Sequence, residues 1–151
     1  MRFLRRDRES PTPAATPSGG GWTVAQGEYD GQPLLLRFNE GADRFRRDFQ
    51  YRLGLAVPFA APTPEGFPGD EDQEDLAAIE DRLDATLEEK GAGVMACVVT
   101  TGGMREFVSY LADGGDAARI HSAVESAAGS HEVQAHGEAD PAWSVYEELR
   151  P

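Results

Sequence analysis

A long amphipathic helix followed at once by an apolar strand constrains the fold of this chain more than any other feature. Apolar residues recur at spacings of three and four between Glu71 and Lys90, which predicts a helix with one buried face. They are Leu76, Ile79, Leu83 and Leu87. Gly91 marks the end of that helix, and residues 93–101, GVMACVVTT, form the near-continuous apolar run of a central strand.

Turn dipeptides and alternating runs place further strands on both sides of this pair. From Trp22, the runs WTVAQGEY and QPLLLRFN flank a DG dipeptide, which predicts a β-hairpin. Residues 51–57 form a strand that ends at Pro58. After the central strand, two glycines turn the chain into a further strand, MREFVSYL.

Capping residues mark the remaining elements. Asp116 is the predicted N-cap of a second helix that ends at Gly129, and a last strand begins at His131. Asp140 and Pro141 predict the cap and the first position of a short C-terminal helix.

The element order predicts an α+β fold. From strand 51–57 onward the order is β-α-β-β-α-β, that of a ferredoxin-like split βαβ antiparallel sheet with two helices on one face. An N-terminal β-hairpin precedes this unit and the short C-terminal helix follows it. Residues 1–21 are predicted to be a disordered basic arm and a Pro/Gly/Ser linker, and residues 22–151 to form a single domain.

Charge favours some partners over others. The net charge is −13, although residues 1–21 carry four arginines against Asp7 and Glu9. An acidic body lacks the basic stripe of a nucleic-acid binder, so a basic protein surface is the expected partner. No apolar run is long enough to span a membrane and the start carries no secretory signal, which predicts a cytoplasmic protein.

Residue types that carry chemistry show no convergent pattern. Cys97 lies within an apolar strand and is expected to be a packing residue; as the single cysteine it excludes an intrachain disulfide and a Cys-rich zinc site. His131 and His136 fall on opposite faces of a strand, so neither a metal site nor a cofactor is predicted. Arg105 is expected to pair with a carboxylate, Asp140 or Glu80, or to hold an anionic ligand.

Aromatic and acidic side chains supply the candidate surfaces. Trp and Tyr are enriched at interfaces and in partly wet core positions. The candidates for a ligand or partner are Trp22, Arg105, Tyr110, Trp143 and Tyr146. Docking onto the sheet is favoured for Trp143. The predicted acidic helix face comprises Glu74, Asp75, Asp81 and Glu88, a solvated face or a docking surface for a basic partner.

The stretches YDGQPLLLRFN, EDLAAIEDRL, TTGGMREFVSY and DPAWSVY, in this order, resemble the bacterial domain of unknown function family 695 over about residues 22–149. The ending DPAWSVYEELRP is also similar, more weakly, to that of the ribonuclease E inhibitor RraB family, whose members are small acidic ferredoxin-like regulators. The first resemblance implies a fold and no established activity.

These observations leave two functions open. The leading hypothesis is a non-enzymatic cytoplasmic interaction or regulatory module that presents an acidic helix face or a sheet face. The alternative is a small-ligand binder or enzyme with a pocket lined by Arg105, Tyr110 and Trp143. Homo-oligomerisation through a sheet edge or face also stays open.

Overall fold

A computed structural model gives the structure of residues 21–151 and the backbone of Ala14–Pro17. The predicted basic arm, residues 1–9, lies outside the described residues. Of the predicted linker, the structure describes Ala14–Pro17, which forms a strand, and Gly21.

One sheet and three helices form the regular structure of the described residues. The strands are β1 (Ala14–Pro17), β2 (Trp22–Tyr29), β3 (Gln32–Asn39), β4 (Tyr51–Pro58), β5 (Gly93–Thr101), β6 (Met104–Leu111) and β7 (Gln134–Ala139). The helices are α1 (Asp70–Glu88), α2 (Ala117–Glu125) and α3 (Ser144–Leu149), and short 3₁₀ helices lie at Glu40–Phe45, Glu89–Gly91 and Gly114–Asp116.

The seven strands form an antiparallel sheet in the order β1-β2-β3-β5-β6-β4-β7. The predicted α+β class and the predicted N-terminal hairpin β2–β3 are therefore confirmed. The whole order differs from that of a four-stranded ferredoxin-like sheet, because β3, β2 and β1 continue the sheet beyond β5. None of the helices in the described part of the chain is long and apolar enough to span a membrane.

The predicted helices pack on one face of the sheet, over its middle strands. The apolar stripe of α1 packs with α2 against side chains from the three middle strands β4, β5 and β6. This layer comprises Leu76, Ile79, Leu83, Leu87, Ile120 and Val124 from the helices and Leu53, Leu55, Val57, Met95, Val98, Phe107 and Leu111 from the strands. Burial of this apolar surface stabilises the two-layer arrangement.

The C-terminal residues cover the opposite face. Alternate residues of β3, β5 and β6 point to this side and pack against the end of the chain. The cluster includes Leu34, Leu36, Phe38, Cys97, Val99, Val108 and Tyr110 from the strands and Trp143, Val145, Tyr146 and Leu149 from the C-terminus. The middle of the sheet is therefore buried on both faces.

Local geometry moves several predicted boundaries. Helix α1 ends at Glu88 rather than Lys90, because Lys90 adopts the left-handed conformation with φ 60°. Asp116 makes no capping hydrogen bond to α2; instead Asp113 accepts one from the backbone N–H of Gly115 at the preceding 3₁₀ helix. Strand β7 begins at Gln134, so His131 lies in the loop before it.

Candidate functional site

Asp140 fixes the C-terminal segment to the sheet. Its carboxylate accepts hydrogen bonds from the Tyr110 hydroxyl at 2.8 Å, from an Arg52 guanidinium nitrogen at 3.1 Å and from the backbone N–H of Ser144 at 3.0 Å. Burial alone would raise the pKa of Asp140, but the hydrogen bonds from Ser144 and Tyr110 outweigh it and hold that pKa below its ordinary value. The buried carboxylate is therefore a charged structural anchor.

The predicted start of the C-terminal helix is wrong by three residues. Asp140 caps α3 through Ser144, but Pro141 lies outside the helix. Trp143 adopts the left-handed conformation with φ 54°, which a helix interior does not tolerate and which costs on the order of 1 kcal/mol for a non-glycine residue. That turn delivers the indole ring onto the sheet.

Three of the predicted site residues are buried together. Trp143 stacks on Tyr110 with ring centroids 4.0 Å apart and meets Tyr146 edge-on at 5.1 Å. Each has a hydrogen-bond acceptor, since the Trp143 indole N–H donates to the Phe49 carbonyl and the Tyr146 hydroxyl to the Asn39 carbonyl, both at 2.7 Å. All three are 0% exposed, so they anchor the C-terminal segment and present no surface to a partner.

Two arginines lie over this aromatic cluster from outside. The Arg46 guanidinium lies 5.6 Å from the ring centroids of Trp143 and Tyr146, and that of Arg150 lies 5.2 Å from Tyr146. Both arginines pair with Glu147 on α3. Cation–π contacts and ion pairs therefore add to the packing that holds α3 in place.

Arg105 lies on the other face of the sheet. It is five residues from Tyr110 on the same strand, so the two side chains point to opposite sides. The predicted pairing of Arg105 with Asp140 or Glu80 is wrong: Asp140 bonds Arg52 and Glu80 bonds Arg37, while Arg105 donates to the Thr100 hydroxyl at 2.9 Å. Arg105, Tyr110 and Trp143 do not line a shared pocket.

Partial burial and a like charge act on Arg105. Burial lowers its pKa, and the neighbouring Arg37 guanidinium lowers it further, while the Glu80 carboxylate opposes both. In the described residues no carboxylate lies within salt-bridge distance of Arg105. The guanidinium therefore borders the α1 side of the sheet as a weakly compensated cation.

Trp22 lies on the same face, at the start of β2. Its ring is half-buried, and the Arg37 guanidinium lies 5.6 Å from its centroid. Trp22 lines a cavity of about 210 Å³ together with Asn39 on β3 and two acidic side chains of α1, Asp84 and Glu88. The other predicted aromatic candidates, Tyr110, Trp143 and Tyr146, are 0% exposed, whereas Trp22 is in part accessible to solvent.

The exposed acidic residues of α1 form a narrower surface than predicted. Glu74, Asp81 and Glu88 recur every seven residues and so share one side of the helix, with Asp84 beside them. We call these four residues the acidic stripe. Asp75 does not belong to it, because its carboxylate lies 2.9 Å from the His131 ring in the opposite direction.

Like charges accumulate on the acidic stripe. In the described part of the chain, no salt bridge involves any of its four residues. Partial burial raises the pKa of Asp84, and repulsion from Glu80, Glu88 and Asp81 raises it further, while the Arg37 guanidinium acts in the opposite direction. The negative charge of the stripe is therefore only partly compensated.

A buried histidine links the start of α1 to the loop before β7. The His131 ring nitrogens lie 2.5 Å from Asp72 and 2.9 Å from Asp75. Asp72 is 0% exposed and also accepts hydrogen bonds from the backbone N–H groups of Ala60 and Ala61. Sequence analysis missed this cluster, because its members are about 60 residues apart and match no motif spacing.

Cys97 is fully buried, as expected from its apolar strand. Burial raises the pKa of its thiol, and the nearby Glu106 carboxylate raises it further. A thiol so protonated is a poor nucleophile. Within the described residues, no group of three or more His, Cys, Asp or Glu side chains is placed to hold a metal ion.

The matched family agrees with the resemblance noted in the sequence. A family model described as "Family of unknown function (DUF695)" matches residues 20–149. The chain belongs to this family. No curated protein and no solved structure shows significant similarity to it. The similarity of the C-terminal residues to the ribonuclease E inhibitor RraB family has no counterpart among these matches.

For this DUF695 member, the matched range places the structural anchors within the family domain. Asp140, Trp143 and Tyr146 all fall inside residues 20–149, as does the whole of α1. The segment DPAWSVY therefore belongs to the domain as its closing element. The acidic stripe, Trp22 and Arg105 are left as the predicted candidates that solvent or a partner can reach.

Proposed function

We propose that this protein is a non-enzymatic cytoplasmic interaction module that binds a basic protein surface through the acidic stripe of α1. One observation carries the proposal: Glu74, Asp81, Asp84 and Glu88 crowd one side of the helix without ion-pair partners in the described residues. A cationic partner would relieve their mutual repulsion, which gives the surface a defined electrostatic preference.

The architecture supports a surface of this kind. We infer that β4 to β7, with α1 and α2, form a ferredoxin-like unit, since these strands are ordered β5-β6-β4-β7 and both helices pack on one side. The buried stripe of α1 fixes the orientation of the acidic stripe. A rigid helix presents charges with less loss of side-chain and backbone entropy than a loop does.

Charge reversal on the helix tests the proposal. The immobilised protein is exposed to a cytoplasmic extract, and a retained basic protein is identified, purified and titrated against the variant Asp81→Lys/Glu88→Lys. Because charge-assisted contacts at a rim are worth about 1 kcal/mol each, two reversals are expected to weaken binding at least tenfold. The expected binding also weakens as salt rises.

A matched control separates a specific surface from general acidity. Glu65→Lys/Glu132→Lys makes the same change in net charge at two exposed loop positions outside the acidic stripe. We expect this variant to bind as the wild type does. Equal loss of binding in both variants, or the absence of any reproducible basic partner, would contradict the proposal.

A further inference from the structure

One half of the helix-side face of the sheet is not covered by the described helices. On β3, Leu34, Leu36 and Phe38 are buried, whereas the alternate residues Leu35, Arg37 and Asn39 are only half-buried. The buried core beneath α1 and α2 draws its strand residues from β4, β5 and β6, and Trp22 of β2 packs against its edge. Among the described residues, the face of β2 and β3 beside α1 is therefore only partly covered.

Two cavities lie along this partly covered face, and the Arg37–Glu80 pair stands between them. The first is lined by Trp22, Asn39, Asp84 and Glu88, and the second by Gln26, Leu35 and Phe67. We call this feature the α1–β3 groove. The salt bridge between Arg37 and Glu80 crosses it at mid-length, with side chains 33% and 23% exposed.

The two ends of the groove hold cavities of different chemistry. At the end near the start of β2, the cavity of about 210 Å³ is bordered by the Trp22 ring and by the carboxylates of Asp84 and Glu88. At the other end, a cavity of about 240 Å³ is bordered by apolar side chains, including Leu35 and Phe67.

Each cavity selects a type of side chain. A lysine or arginine fits the first, because two carboxylates and an aromatic face all attract a cation. The contact of Arg37 with the Trp22 ring shows that this ring already accepts a guanidinium. An aliphatic or aromatic side chain fits the second cavity, where it would displace water from Leu35 and Phe67.

The separation of the cavities sets the spacing in the ligand. Trp22 and Gln26 line the two cavities and lie four residues apart on β2, a distance of about 13 Å at 3.3 Å per residue. An extended ligand covers the same distance with four residues. A helical ligand would need about nine residues for it, at 1.5 Å per residue.

We propose that the α1–β3 groove binds an extended segment of a partner protein that carries a lysine or arginine and, four residues away, a large apolar side chain. This inference rests on the proposed function, because Asp84 and Glu88 belong to the acidic stripe. It adds a defined ligand chemistry, a conformation and a spacing. The charge complementarity of one end and the apolar character of the other identify the occupant.

Synthetic peptides test the spacing directly. The probes are extended Gly/Ser-based peptides that contain one arginine and one phenylalanine separated by two, four or seven positions. Each is titrated into the isotopically labelled full chain and followed by NMR. We expect the peptide with a separation of four to bind at least fivefold more tightly than the other two.

The two tryptophans give an internal control. The Trp22 indole signal should shift during the titration, whereas that of Trp143 should not, because Trp143 is completely buried on the opposite face. Asp84→Lys is expected to weaken the peptide about tenfold, equivalent to the loss of about 1.4 kcal/mol. Asp48→Lys, with the same charge change at an exposed turn position beside Phe49 on the opposite face of the sheet, should leave its affinity unchanged.

These experiments distinguish failure of the groove proposal from failure of the proposed function. If the peptides bind equally well at all three spacings and Asp81→Lys/Glu88→Lys abolishes that binding, the groove proposal is overturned and the proposed function is retained. Absence of binding by all three peptides would also overturn the groove, and the basic partner of the capture experiment would then decide the proposed function. The NMR spectrum of each variant reports whether it is folded.

Discussion

At the scale of single residues, His131 shows how protonation contributes to the stability of the fold. A neutral imidazole has one N–H donor, yet both ring nitrogens of His131 lie against carboxylate oxygens of Asp72 and Asp75. Only the imidazolium donates to both. The hydrogen bond to Asp72 raises the pKa of His131 above its ordinary value of 6.5, against the opposing effect of burial.

The two pKa shifts define a pH window. Because the pKa of His131 is raised on folding, its contribution is complete below pH 6.5 and is lost as pH rises through the folded value. Burial alone would raise the pKa of Asp72, but hydrogen bonds from His131 and from the backbone N–H groups of Ala60, Ala61 and Gly69 hold it below 3.8. Its contribution is complete above pH 3.8 and is lost as pH falls. Both contributions are present between these values.

We therefore predict that His131→Gln destabilises the protein most near pH 5. The expected loss in the free energy of unfolding is about 3–5 kcal/mol, since the substitution leaves a buried carboxylate without its cation. The difference from wild type should shrink toward pH 9. His136→Gln is the control, because that ring is 39% exposed beside Glu138, and its loss should cost about 0–1 kcal/mol.

Urea unfolding at pH 5, 7 and 9 measures these differences. A loss of unfolding free energy for His131→Gln that is constant over this pH range would show that packing, and not protonation, accounts for the role of His131.

Sequence analysis did not predict the cluster of His131, Asp72 and Asp75, for a physical reason. Periodicity shows which side of a helix Asp75 occupies, but it does not reveal a partner brought close by the fold.

At the scale of elements, α3 depends on its contacts with the sheet. It has six residues, and isolated helices shorter than about 12 residues are marginal in water. The Asp140 cap and the buried rings of Trp143 and Tyr146 supply what the sequence of α3 cannot supply alone. The three-residue error in its predicted start arose because a cap and a proline do not reveal that Trp143 is left-handed.

Two matched substitutions test this dependence. Tyr110→Phe removes a hydroxyl that donates to the charged Asp140, which is expected to lower the free energy of unfolding by about 1.5–3 kcal/mol. Tyr146→Phe removes a hydroxyl that donates chiefly to the neutral Asn39 carbonyl, with an expected loss of about 0.5–1.5 kcal/mol. Both rings are completely buried, so packing changes equally little.

Urea titrations of the two variants and the wild type give the comparison. Equal losses would show that the charge of Asp140 does not determine the strength with which the C-terminal segment is held. Helices and strands were more predictable than residue contacts, because turn dipeptides, alternation of apolar and polar residues, and the apolar stripe of a helix are local sequence patterns. The order of the strands in the sheet was less predictable, since a period of two identifies a strand and not the strand that pairs with it.

At the scale of the whole molecule, the acidic charge opposes compactness while the core favours it. The net charge is −13 over 151 residues, and composition alone predicted that excess. Its placement was not predictable from composition: the acids near arginines pair with them, as Glu147 and Glu138 do, whereas those of the acidic stripe are left to repel. Self-repulsion of this kind destabilises the folded state and weakens as salt screens it.

We predict that salt stabilises the wild type more than Asp81→Lys/Glu88→Lys at pH 7. Raising NaCl from 0.05 to 0.5 M shortens the screening length severalfold, and the expected gain for the wild type is about 0.5–1 kcal/mol. The variant lacks much of the repulsion on α1 and should gain less, whereas Glu65→Lys/Glu132→Lys should behave more like the wild type. Urea midpoints at the two salt concentrations measure both gains. If both variants lose the gain equally, total charge would govern the response, and the acidic stripe would not be a site of concentrated repulsion.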